Sequence, residues 1–153
     1  MRLKHLVIVG FAILSVGCNE QISEQQNNPS PDNNTVATSV SGNVIQSGSF
    51  QKAEYSIQGS VKVISDNGKN YLEFDQNFQT DSGPDLLVIL HRDASLPNKG
   101  IQEQDYVNIA PLKSTNGTQR YEVPTNVDLT NFKSVAVWCR KFNTTFGFAP
   151  LQG

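Results

Sequence analysis

Asp66-Asn67-Gly68-Lys69 stands between two short runs, Val61-Lys62-Val63-Ile64-Ser65 and Asn70-Tyr71-Leu72-Glu73-Phe74, both strand-like in their β-branched and aromatic content. Asn-Gly at such a junction tolerates positive φ at both central positions, as a two-residue hairpin turn requires. The spacing predicts an antiparallel hairpin. The same dipeptide recurs at Asn116-Gly117, with Tyr106 to Leu112 before it and Gln119 to Val123 after, and predicts a second one. In the later run Tyr121 and Val123 face one way while Arg120 and Glu122 face the other, the alternation of a half-buried strand. Leu86-Leu87-Val88-Ile89-Leu90 is continuously apolar and follows Gly83-Pro84, which suits a central strand covered on both faces. Beyond the N-terminal segment, no window of roughly 11 residues keeps a helical period. The chain therefore reads as all-β, an antiparallel β-sandwich or barrel-like single domain.

The N-terminus has another pattern. Arg2 and Lys4 precede an apolar run from Leu6 to Leu14, broken only by Gly10, and Ser15-Val16-Gly17-Cys18 follows. A basic start, a short apolar stretch and a small residue at the cut compose a secretory signal, and the stretch is shorter than the ~20 residues that span a bilayer. Cysteine directly after Gly17 predicts a lipoprotein signal over residues 1–17, cut before a lipidated Cys18. Such signals usually carry Leu three places before the cysteine; Leu14 is four before it. An ordinary signal with an incidental cysteine is the alternative. Two or more acyl chains on Cys18 would hold the protein stably at a membrane, where one would not. Residues 18–41, rich in Asn, Gln, Ser, Pro and Thr, cannot bury enough apolar surface to offset their ordering entropy and predict a disordered tether. Residues 42–153 then form one domain of ordinary size, ~110 residues. The expected location is the cell envelope.

Losing Arg2 and Lys4 with the signal leaves 10 of the 12 basic residues against 14 acidic ones, a net charge near −4. Without a basic stripe, nucleic acid is not an expected partner. The chain has two cysteines, so lipidation of Cys18 makes Cys139 the free thiol. In a strand from Ser134, Val135, Val137 and Cys139 share one face, and Ala136, Trp138 and Arg140 the other. That places the sulfur on an aliphatic face, as core filling. Against this, the strand ends nearby, and Arg140 and Lys141 would favour a thiolate if either approached the sulfur. An unpaired cysteine in an exported chain also invites intermolecular pairing or a ligand role.

Trp138-Cys139-Arg140-Lys141-Phe142, followed by Phe146-Gly147 and Ala149-Pro150-Leu151, resembles the closing motif of the DM13 domain family. Ser47-Gly48-Ser49-Phe50, Gly59-Ser60-Val61, Phe74-Asp75, Phe78-Gln79-Thr80 and Gly83-Pro84-Asp85-Leu86 match that family's earlier landmarks in order. The resemblance covers about Gly42 to Leu151. It implies a β-rich module, in bacteria often a lipoprotein, proposed to act in electron transfer. The motif cysteine, matched by Cys139, would work as a bare thiol or as ligand to a prosthetic group such as haem. Many bacterial members carry His a few residues before the glycine matched by Gly59, whereas Tyr55 stands here.

Gly83-Pro84-Asp85 reads either as a loop presenting Asp85 or as a turn whose Asp85 carboxylate accepts backbone N–H bonds, the structural reading being favoured. Asp75, Asp81 and Asp85 could gather around a Ca²⁺, a minor alternative because their spacing fits no loop of known geometry. His91, the histidine left after His5 departs, is a weak candidate partner of Cys139 for haem iron; the plainer expectation is an exposed histidine. One histidine does not assemble a Cys/His zinc site, so no metal is expected. Trp138, Phe142, Phe146 and Phe148 are expected to pack the second face and the closing strand.

Hydrolytic enzymes are disfavoured: G-x-S-x-G, Cys-x-x-Cys and a zinc-binding His pair are all missing from the sequence. Two functions stay open. One is a membrane-tethered redox module exchanging electrons with an envelope redox protein through Cys139. The other is a non-catalytic β-sandwich binding a protein or glycan, with Cys139 as core.

Overall fold

The computed structural model describes residues 42–153; the signal and tether expected for 1–17 and 18–41 lie outside the described residues. The fold is an antiparallel sandwich and not a closed barrel. One sheet takes β1 (Asn43–Ser49), β4 (Ser60–Asp66), β5 (Lys69–Phe74) and β9 (Gln119–Val123), in the order β1-β4-β5-β9. The other takes β2 (Gln51–Lys52), β7 (Leu86–His91), β8 (Tyr106–Pro111), β10 (Ser134–Cys139) and β11 (Thr144–Pro150), in the order β2-β11-β10-β7-β8. A short ribbon pairs β3 (Ile57–Gln58) with β6 (Gln79–Thr80). Ser47 and Gln152 exchange two backbone bonds, of 2.8 and 2.9 Å, between the β1 edge and the chain leaving β11.

The first expected hairpin is present. Asp66 pairs with Lys69 across β4 and β5, and Asn67 (φ 50°) and Gly68 (φ 77°) make the turn. The second is not. β8 pairs with β7 in one sheet and β9 with β5 in the other, so the chain through Asn116-Gly117 crosses between sheets. Gly117 does turn at φ 79°, but its N–H donates to Phe78 O and Thr80 N–H donates to Thr115 O, which tie the turn to β6. Gln119 and Tyr121 fix the crossing from inside: Gln119 bonds Ser114 through both its amide atoms, and Lys113 N–H donates to the Tyr121 hydroxyl.

The inner faces close over one core that includes Phe50, Phe74, Phe78, Leu72, Val88, Leu90, Tyr121, Val135, Val137 and Cys139. Each large side chain fully buried there contributes roughly 1.5–3 kcal/mol before entropy is counted. The aromatic rings meet at 4.7 to 5.4 Å, tilted or edge-on, the arrangement their quadrupoles favour. β7 is covered on both faces as its apolar run predicts, yet no third sheet covers it. Leu96 and Ile101, from the chain between β7 and β8, lie on Leu87, Ile89, Ala136, Trp138 and Phe148 as a second cluster.

Candidate functional site

Cys139 ends β10, its Cα opposite Leu86 on β7 and Thr144 on β11. Strand alternation sends it inward with Val135 and Val137, and it is completely buried. It is the free cysteine among the described residues. A three-residue 3-10 turn follows, Arg140 to Phe142, and stops at Asn143 in the left-handed region (φ 45°). Asn143 secures this corner: Trp138 Nε1 donates to its Oδ1 at 3.1 Å, and its Nδ2 donates to Ile101 O at 3.2 Å.

The two neighbouring cations do not serve the sulfur. Arg140 turns outward and binds Asp85, Nε to Oδ2 at 2.9 Å and Nη2 to Oδ1 at 3.3 Å. The Asp85 carboxylate raises the guanidinium pKa, first by hydrogen bonding and then by charge. Lys141 Nζ lies 5.9 Å from the centre of the Phe142 ring, and both residues are exposed. Phe142 is 60% exposed, contrary to the packing expected of it, because the turn ends the strand alternation before that position. Asp85 also departs from expectation. Its carboxylate holds a guanidinium, while its backbone O accepts from Arg140 N–H at 3.1 Å.

Trp138 and Phe148 pack the outer face of their sheet, as expected. Phe146 reaches the inner core because a bulge between Val137 and Trp138 leaves it unpaired on β11. Its carbonyl accepts from Ala53 and Tyr55 N–H at 3.1 and 3.2 Å, and the Tyr55 ring stacks on it at 4.2 Å. Gly83 fits closely against it: a Cβ there would lie 2.9 Å from Phe146 Cζ and 2.8 Å from Leu86 Cδ2. Pro84 is exposed in the same loop.

His91 sits at the far end. It pairs with Ser134, five positions back along β10 from Cys139, a separation of roughly 17 Å at strand rise. It is buried rather than exposed, and its Nδ1 accepts from Asp93 N–H at 3.0 Å. One iron cannot take both residues. Asp75 accepts from Ser60, Asp81 from Ser56 N–H and Asp85 from Arg140; among the described residues no three His, Cys, Asp or Glu gather for a metal.

A haem needs a slot that reaches its ligand, with room of several hundred Å³. Three surface depressions, of about 370, 330 and 410 Å³, are not lined by Cys139, and Cys139 itself has no accessible surface. The residues present do not fit the group.

Fold and site together define a small antiparallel β-sandwich with a sealed, unpaired thiol at the end of a central strand. Residues 49–151 match the family described as Electron transfer DM13. The chain belongs to the DM13 family. No curated protein and no solved structure matches it. Asn143 and the Tyr55–Phe146 contact escaped the sequence reading; Asn after Phe142 was the available signal, since Asn tolerates positive φ.

Proposed function

We propose that the protein is an extracytoplasmic lipoprotein, tethered to a membrane through Cys18, whose DM13 domain is a redox module using Cys139 as a bare thiol. The family's electron-transfer description supports the class. The observation that carries the thiol form is the unpaired Cys139 at a strand end, one residue from the exposed Arg140. A single thiol can relay a two-electron exchange. Cys139 thiolate attacks an acceptor disulfide, forming a mixed disulfide and releasing one acceptor thiolate. One thiolate of a donor dithiol then displaces the second acceptor sulfur from Cys139. The other donor thiolate closes the donor disulfide and frees Cys139. Two electrons and two protons pass from donor to acceptor.

The test is incubation of the full chain with oxidised glutathione, following the Cys139 peptide by mass and Trp138 by fluorescence. A mixed disulfide at Cys139, formed while Trp138 stays native and reversed by dithiothreitol, is the expected result. Modification confined to the unfolding transition would sink the redox reading. The complete burial of Cys139 favours a second reading, a non-catalytic binding module for an envelope protein or glycan, which would then stand.

A further inference from the structure

The relay requires the sulfur to reach a partner, and Cys139 is completely buried. We propose that residues 82–86 form a strap over the Cys139 end of the sandwich, latched by the Asp85–Arg140 ion pair, that lifts locally to expose the thiol. The inference rests on the bare-thiol reading above.

The strap is placed here by its strand contact, its surroundings and its anchors. Leu86, the strap's last residue, is the strand partner of Cys139, so releasing it uncovers the end of β10. Behind the strap lies a surface depression of about 410 Å³, bounded by residues 82–86 on one side and 111–115 on the other. The strap can swing into that space, drawing Leu86 away from the core it packs against. Ser82 to Asp85 bury no apolar side chain, and the packing contact of this stretch is the close fit of Gly83 against Phe146 and Leu86. What holds them to the turn after β10 is the Arg140 N–H bond to Asp85 O and the ion pair, whose side chains are 61% and 29% exposed, while Leu86 O accepts from Leu112 N–H on the other side. A pair that exposed is weakened by salt. Proline at 84 stiffens the segment, so it moves as a unit.

The experiment is the rate of carboxamidomethylation of Cys139 by iodoacetamide in the full chain, read by mass at the Cys139 peptide, against urea. Local opening gives a urea-independent floor at low denaturant, because little surface is exposed. Asp85→Asn is expected to raise that floor about three-fold, the size set by a partly exposed ion pair. About 0.5 M sodium chloride should raise the wild-type floor similarly and leave the variant unchanged. Lys69→Gln, which removes the Lys69–Glu122 pair on the other sheet, should not move the floor. A floor that ignores Asp85→Asn, or rises equally with Lys69→Gln, overturns the latch while leaving the thiol reading intact. A rate that follows global unfolding from zero urea removes both.

Discussion

Within three residues the chain passes from a sealed side chain to an exposed one: Cys139 has no accessible surface and Phe142 is 60% exposed. Their substitutions should separate accordingly. Cys139→Ala removes a sulfur from a packed apolar cluster and is expected to cost about 1 kcal/mol. Cys139→Ser keeps the size but places a hydroxyl where the neighbours are apolar, and should cost about 2 kcal/mol. Urea denaturation ranks the two; serine at least as stable as alanine would mean that the cluster supplies a polar partner. Phe142→Ser should change stability by less than about 0.5 kcal/mol. Phe146→Ala should lose about 3–5 kcal/mol, because its ring is buried under Tyr55 and beside Gly83. Side-chain direction was legible for Cys139, Val137 and Trp138, where alternation holds. It was not legible for Phe142 and Phe146, where a 3-10 turn and a bulge reset the phase. His91 escaped similarly: neither its burial at the end of β7 nor the bond its Nδ1 accepts from Asp93 N–H is marked by any period in the sequence.

Turns show the same division between local and distant causes. Asn67-Gly68 could be read directly, because a two-residue hairpin is decided by the φ preferences of its own residues. Asn116-Gly117 carried the same signal yet serves a crossing between sheets, decided by Gln119 and Tyr121 on β9. Tyr121→Phe should therefore loosen residues 112–119, leaving Lys113 N–H without its acceptor at a cost of about 1–2 kcal/mol. Its pH dependence is distinctive. Burial holds the Tyr121 phenol above its ordinary pKa of 10.0, partly offset by the Lys113 bond. A folded value raised above the unfolded one contributes stability that is present below the ordinary value and lost as pH rises through the raised value. The unfolding midpoint should fall on alkaline titration, and the Tyr121→Phe fall should be smaller; identical alkaline profiles would refute the assignment. At the other corner, Asn143→Ala should destabilise more than Asn143→Gly. Glycine keeps the left-handed backbone, and both lose the Trp138 bond. The order of their urea midpoints decides it.

At the scale of the molecule the two sheets are unequal. In the β2-β11-β10-β7-β8 sheet the central strands β11, β10 and β7 are buried on both faces, inside by the common core and outside by a cluster that includes Leu96 and Ile101. The β1-β4-β5-β9 sheet carries charge on its outer face, with Lys69 bound to Glu122 and Arg120 stacked 4.0 Å over Tyr71. An all-β sandwich was legible from short strands and turn chemistry, but this inequality was not, since the segment between β7 and β8 has no strand pattern and acquires its role only in contact. It has a kinetic consequence. Amides of Val88 to Leu90 and Val135 to Val137 lie in strands flanked on both sides, so they should exchange hydrogen only through global unfolding. Amides of Val44 to Gln46, on an edge strand interrupted by a bulge, should exchange orders of magnitude faster. The adjoining ends of β7 and β10, at Leu87 and Cys139, are the informative case, lying between the same strands as the protected centre but with a weakly anchored strap beyond them. Exchange there at a free energy well below the global value, lowered further by salt, would show that the stiff half of the sandwich opens at its thiol end alone. Protection equal to that of Val137 would mean the end is as closed as the centre, and Cys139 would then be a core residue with no redox part to play.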